Sequence, residues 1–193
     1  MKCSVFIAPS VDGYIATKDG DVTWLESLGS KLSKEDDNSE LMTHFNNAFP
    51  NFIQSVDCMI MGRKLMDVLS SFNLTDEQWP YVDTRVIVLS HSVKQAPKNL
   101  KDKVEMYSGS IDELMRKLES EGFKNAYIDG GETITQFLEL ELIDEMTLTL
   151  APILLGSGRP LFHELSKKIY LEDAKATTFP NDFIEVKYRV KYT

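Results

Sequence analysis

The sequence predicts an α/β fold built on one mixed, mostly parallel central sheet with antiparallel C-terminal strands, and three observations lead there. From "DCMIMG" to "NAYID", short apolar or β-branched runs alternate with helical stretches, the pattern of a parallel sheet covered on both faces. Beyond "TITQFLELE", the runs "IDEMTLTLAPILLG", "KIYLEDAKATTFP" and "DFIEVKYRVKYT" read as strands with no helix between them, hence as antiparallel. The 193 residues are 42% hydrophobic, enough for one sizeable core, and no repeat or Pro/Gly linker divides them. Residues 1–193 are therefore expected to form a single domain.

Each element has its own signal. "CSVFIA" is a first strand, followed by a long connection, "PSVDGYIATKDGDVTW", in which Asp12-Gly13 and Asp19-Gly20 are turn-forming pairs. The polar "SKLSKEDDNSE" reads as a solvated loop or helix start, and Pro50 is expected to break or restart the helix after it. "DCMIMG", "RKLMDVLSS" and "TRVIVLS" give strand, helix, strand. A strand near "KVEMYS" leads to the amphipathic helix "SIDELMRKLESEG", capped by Ser110 and stopped at Gly122, and then to the strand "NAYID".

Composition removes several function classes. Thirty acids against 21 bases give a net charge of -9, so no diffuse basic field is present to hold nucleic acid or an anionic membrane. An anionic ligand needs a local basic pocket. Cys3 and Cys58 each sit in an apolar run, which reads as two buried thiols in a reducing cytoplasm rather than a disulfide. No run approaches the roughly 20 apolar residues of a membrane span. His44, His91 and His163 lack metal-ligand spacing, so no metal site is expected.

In an open parallel sheet, ligands bind where strands lead into helices. Three such exits carry chemistry. Gly62-Arg63-Lys64 places two cations at a helix start, where a helix dipole prefers acids and where free N–H groups suit a phosphate; two exposed bases are the plain alternative. Leu89-Ser90-His91-Ser92 offers hydroxyls and an imidazole, or simply a polar turn. Asp129-Gly130-Gly131-Glu132-Thr133 has glycines that allow a backbone to approach a pyrophosphate and a threonine that can donate to it, so bulk at Gly131 is expected to abolish ligand binding. A Gly156-x-Gly158 loop beside Arg159 reads equally as a tight turn.

The ordered set "SVDGYIA", "TW", "MIMGRK", "VIVLS", "YIDGGETITQFL" and "LIDEMTLTLAPILLGSGRPLF" resembles the dihydrofolate-reductase-like superfamily, and more closely the C-terminal reductase domain of the bifunctional riboflavin-pathway deaminase-reductase. The resemblance implies a three-layer fold, a small substrate of pyrimidine or pterin type, NADPH as cofactor and a homodimer. Carried over by position, Arg63 and Lys64 would meet the 2′-phosphate, with Gly62 preceding them and Leu89, Ser90 and His91 beside the adenosine. Gly130, Gly131, Glu132 and Thr133 would cradle the pyrophosphate. Ala8, Ile15 and Ala16 would lie near the nicotinamide beside the Asp12-Gly13 loop, Trp24 would line the substrate side, and Asp12 and Asp129 would serve a proton relay.

Two departures bear on substrate. Asn46 stands where dihydrofolate enzymes place an acid, and Phe6 stands where the riboflavin-pathway domain has a lysine for the ribose phosphate. Weak dihydrofolate turnover follows. A nucleotide-binding protein that has lost turnover is the alternative from another class; an acyl-transfer hydrolase would need a serine on a glycine-flanked elbow, which is missing.

Overall fold

Side chains alternate across a strand, and that alternation sets the layers. In the computed structural model, which describes residues 1–29 and 40–193, Cys58 and Ile60 of β3 (Cys58–Gly62) enter one core while Met59 and Met61 enter another. All four are fully buried, so both faces of the sheet are covered. Leu114 and Leu118 of α4 (Ile111–Ser120) and Ile134 and Phe137 of α5 (Gly131–Glu139) complete the first core. Ile53 of α2 (Glu40–Gln54) with Met66 and Leu69 of α3 (Arg63–Ser71) completes the second. A third cluster joins Trp24 and Leu28 of α1 (Trp24–Gly29) to Met42, Phe179 and Phe183. The result is a three-layer α/β/α arrangement.

The main sheet has the order β5 (Glu105–Tyr107), β4 (Arg85–Leu89), β3, β6 (Asn125–Asp129), β1 (Lys2–Ile7), β7 (Glu145–Leu150), β10 (Ile184–Lys191), β9 (Tyr170–Thr178). The first six run parallel, and β10 and β9 are antiparallel to their neighbours. The antiparallel part is thus the final hairpin, because β7 follows α5 and pairs with β1 in the parallel sense. A small second sheet pairs β2 (Tyr14–Ala16) with β8 (Arg159–Pro160), so the long first connection contains a strand that its turn residues concealed.

Local chemistry accounts for the helix ends. Ser110 Oγ accepts from the Glu113 N–H while the Glu113 carboxylate accepts from the Ser110 N–H, each at 3.2 Å, and Gly122 follows at φ 91°. Pro50, by contrast, does not break α2. The carbonyl it leaves without a donor is that of Asn46, and both residues are exposed, so water can satisfy it. The polar stretch at 30–39 lies outside the described residues. Cys3 and Cys58 are fully buried, and burial pushes both thiols up to about 12.

Candidate functional site

Adjacent parallel strands bring two helix starts together. Met61 pairs with Asp129, so α3 and α5 begin side by side, and Gly62 pairs with Leu89 on the other flank, which brings Ser90 and His91 alongside. Gly62 and Gly130 are the N-caps of α3 and α5, and neither helix has a side-chain cap, unlike α4 with its capping box. The first-turn N–H groups of both helices therefore have no acceptor within their own helix or from a cap. Thr133 Oγ1 lies 2.9 Å from where a Cβ on Gly62 would stand, and Lys64 Nζ meets Glu132 Oε2 at 3.0 Å. Gly130 has φ 90°, the conformation that permits the sharp turn into α5.

Several expected contacts are of a different kind. Gly131 is buried, and an added Cβ would stand 2.3 Å from the Pro160 carbonyl oxygen and 2.9 Å from that of Leu161. Its Cα therefore faces the chain's own β8 strand, not a ligand, which corrects the reason for having glycine there. Thr133 is 3% exposed and packs on Gly62, so Gly62 is small for the sake of Thr133 as much as for any phosphate. Arg63 pairs with Asp67 at 2.9 Å one helical turn away. Ser90 Oγ accepts from the Val93 N–H at 2.9 Å, closing a local turn, and His91 is exposed next to it.

Asp129 ends β6 with its carboxylate engaged on both sides. Oδ1 accepts from the Gly130 N–H at 2.7 Å and Oδ2 from the Tyr127 hydroxyl at 2.6 Å. Burial holds its carboxyl above the ordinary range against the lowering effect of those two donors. Such an acid can keep a proton where an exposed aspartate would not.

Asp12 is built otherwise. It is exposed, and its carboxylate accepts from Ser10 Oγ at 2.6 Å, from the Leu155 N–H at 3.1 Å and from the Gly156 N–H at 2.7 Å. The Ser10 hydroxyl, followed by the two backbone amides, lowers its pKa, so Asp12 clamps the 155–156 loop to the first connection and does not store a proton at neutral pH. This clamp is present above the ordinary carboxyl range and is lost as pH falls through the depressed value. Asp12→Ala should speed amide hydrogen exchange at Leu155 and Gly156 selectively; unchanged exchange would remove the clamp.

The remaining expected residues lie on other elements. Ala8 is half-buried just past β1, Ile15 packs on the first core, and the carbonyl oxygen of buried Ala16 lies 2.2 Å from where a Gly158 Cβ would stand. Trp24 is 8% exposed in the third cluster, and its Nε1 has no hydrogen-bond partner among the described residues. Asn46 is exposed on α2, one turn after buried Met42. A cleft of about 400 Å³ lies between residues 19–22 and α3, with Lys64, Asp67 and Arg159 in its walls. Arg159 packs against Gly20 in the wall of this cleft and, among the described residues, forms no ion pair; in sequence its loop reads equally as a functional loop and as a tight turn. The Gly156-x-Gly158 spacing was its one available signal.

A parallel sheet of this order, with glycine-capped helices at β3 and β6, has the dihydrofolate-reductase-like fold. Dihydrofolate reductase from Enterococcus faecalis, solved with NADP(H), aligns with a TM-score of 0.61 at 12% identity over 99% of this chain and 97% of its own. The RibD C-terminal domain model matches residues 2–184, and the chain belongs to that family of reductase-type domains. It is 31% identical over 172 residues to the uncharacterized protein YwjB of Bacillus subtilis, covering 88% of this chain and 87% of that one. A crystal structure of a protein from Shewanella sp. PV-4, provisionally assigned to riboflavin biosynthesis, aligns over 100% of both chains with a TM-score of 0.82 and 36% identity.

Proposed function

We propose that this protein is an NADPH-dependent reductase of a pyrimidine- or pterin-type small molecule, working in the cytoplasm as a homodimer. The observation that carries the reading is the pair of uncapped helix starts at β3 and β6, set side by side next to Asp129, an acid whose pKa burial raises. Family membership and the NADP(H) complex of the Enterococcus enzyme support it. NADPH, when bound, supplies the hydride for an electron-poor C=N or C=O carbon.

The chain supplies the rest. First-turn N–H groups of α3 and α5 receive the pyrophosphate, and Gly130 allows the backbone to come close. Arg63 and Lys64 face the 2′-phosphate, Leu89, Ser90 and His91 flank the adenosine, and Arg159 in the cleft wall adds a guanidinium that has no ion pair among the described residues. Ala8, Ile15 and Ala16 border the nicotinamide. Asp129 gives the proton that balances the hydride. Trp24 and Asn46 stand on the substrate side, and the amide of Asn46 in place of an acid argues against dihydrofolate as the principal substrate. The C-terminal hairpin, with Tyr170, Leu171 and Ile184 exposed, is the surface for pairing with a second copy.

Replacing Arg63 and Lys64 together with Ala tests the cofactor. Both are exposed and already paired with Asp67 and Glu132, which compete with a phosphate, so the expected loss of NADPH affinity is on the order of tenfold, with NADH nearly unaffected. Titration at fixed ionic strength reads this. Equal losses for the two cofactors would remove the 2′-phosphate assignment.

A further inference from the structure

We propose that Tyr127 is the positioning residue of the acid, a hydroxyl rotor that gives Asp129 a hydrogen-bonded setting in both of its protonation states. The proposal rests on the reading of Asp129 as proton donor. Tyr127 precedes it by two residues on β6, and side chains two apart share a face of a strand. The ring is 2% exposed and is held edge-on by Phe49 and Phe52 at centroid distances of 6.3 and 5.1 Å.

Two acceptors compete for one hydrogen. The Tyr127 hydroxyl lies 2.6 Å from Asp129 Oδ2 and 2.9 Å from the Phe6 carbonyl oxygen, and a phenol has a single O–H. When Asp129 is ionised, that hydrogen points to the carboxylate. When Asp129 is protonated, the hydrogen turns to Phe6 on β1, and no donor opposes the acid's own proton. Oδ1 keeps the Gly130 N–H throughout.

The surroundings leave this rotor in control. The groups packed against the pair are the Phe6 carbonyl from β1, the rings of Phe49 and Phe52 from α2, and the buried phenol of Tyr81 from the turn before β4. Among the described residues no cation acts on Asp129, and His44 of α2 faces Glu185 instead. In the reduction, Asp129 would give its proton to the heteroatom next to the substrate carbon that receives the hydride, a bound dihydronicotinamide being the hydride source and becoming oxidised in the exchange. The carboxylate left behind takes the Tyr127 hydrogen bond, and a proton from water then restores the acid and returns the hydroxyl to Phe6.

The test is a carbon-13 NMR titration of the Asp129 carboxyl in the full chain, assigned by its loss in Asp129→Asn. Tyr127→Phe keeps the ring and should raise the Asp129 pKa, lowering its acid dissociation constant about tenfold, because the ionised form loses a donor. Replacing the tyrosines with 3-fluorotyrosine, whose hydroxyl is a stronger donor, should lower the pKa instead and covers the case in which Tyr127→Phe does not fold. An unchanged pKa in either folded variant, or shifts of reversed sign, overturns the proposal. If the pKa shifts as expected but Asp129→Asn turns over normally, the rotor stands and the proton-donor reading fails.

Discussion

Asp129→Asn is expected to cut turnover of the reductase by about 10²- to 10⁴-fold, the usual contribution of a positioned acid, while NADPH affinity stays within roughly threefold. The amide keeps the size of the acid, and its oxygen can still accept from the Gly130 N–H. The same variant should melt higher than wild type at pH 7. Burial raises the folded-state pKa of Asp129, so the folded chain binds the proton more tightly than the unfolded chain. Stability from this group is therefore greatest below the unfolded value, near 3.9, falls as pH rises through the raised folded value, and stays low above it. Asparagine removes that penalty. Thermal melts from pH 4 to 8 should converge at the acid end and separate towards neutrality; a neutral-pH melting point below wild type would show that the carboxylate is favoured where it sits.

Gly131→Ala should lower stability by about 3 kcal/mol, or roughly 6 to 12 °C in melting temperature for a chain of this size, and leave NADPH affinity unchanged in the molecules that remain folded. A Cβ there would stand 2.3 Å from the Pro160 oxygen, a backbone atom that cannot rotate aside as a side chain would. Calorimetry and cofactor titration on one sample separate the two quantities. A variant of wild-type stability that no longer binds NADPH would restore the ligand-contact explanation for this glycine.

The contrast at Gly131 shows what a sequence can express. Periodicity carried the alternation of strands and helices, because burial on both faces leaves β-branched runs and amphipathic helices with Ser110 and Gly122 as punctuation. It also marked the three strand exits. What each residue touches there depends on chain segments far away in sequence: Pro160 against Gly131, Leu155 and Gly156 against Asp12, Gly20 against Arg159. No local pattern encodes those meetings. Pro50 was read by its general helix-breaking tendency, whereas its actual position on an exposed helix face makes the missing donor tolerable. The acid at Asp129 was legible as a residue; its phenol partner was not, since a tyrosine in a strand is ordinarily core.

The placement of β1 has a consequence for how the chain is made. Its first strand is an inner one, with Lys2 beside Asn125 and Ser4 beside Glu145. A ribosome adding about 5 to 20 residues per second reaches those partners roughly 6 to 30 seconds after β1 leaves the tunnel. Throughout that interval β1 has neither neighbour in the sheet, and the strands between can pair only among themselves. The pairings of β1 with β6 and β7 are thus among the most distant in sequence in the sheet, the contacts whose closure costs the most chain entropy and which slow folding most.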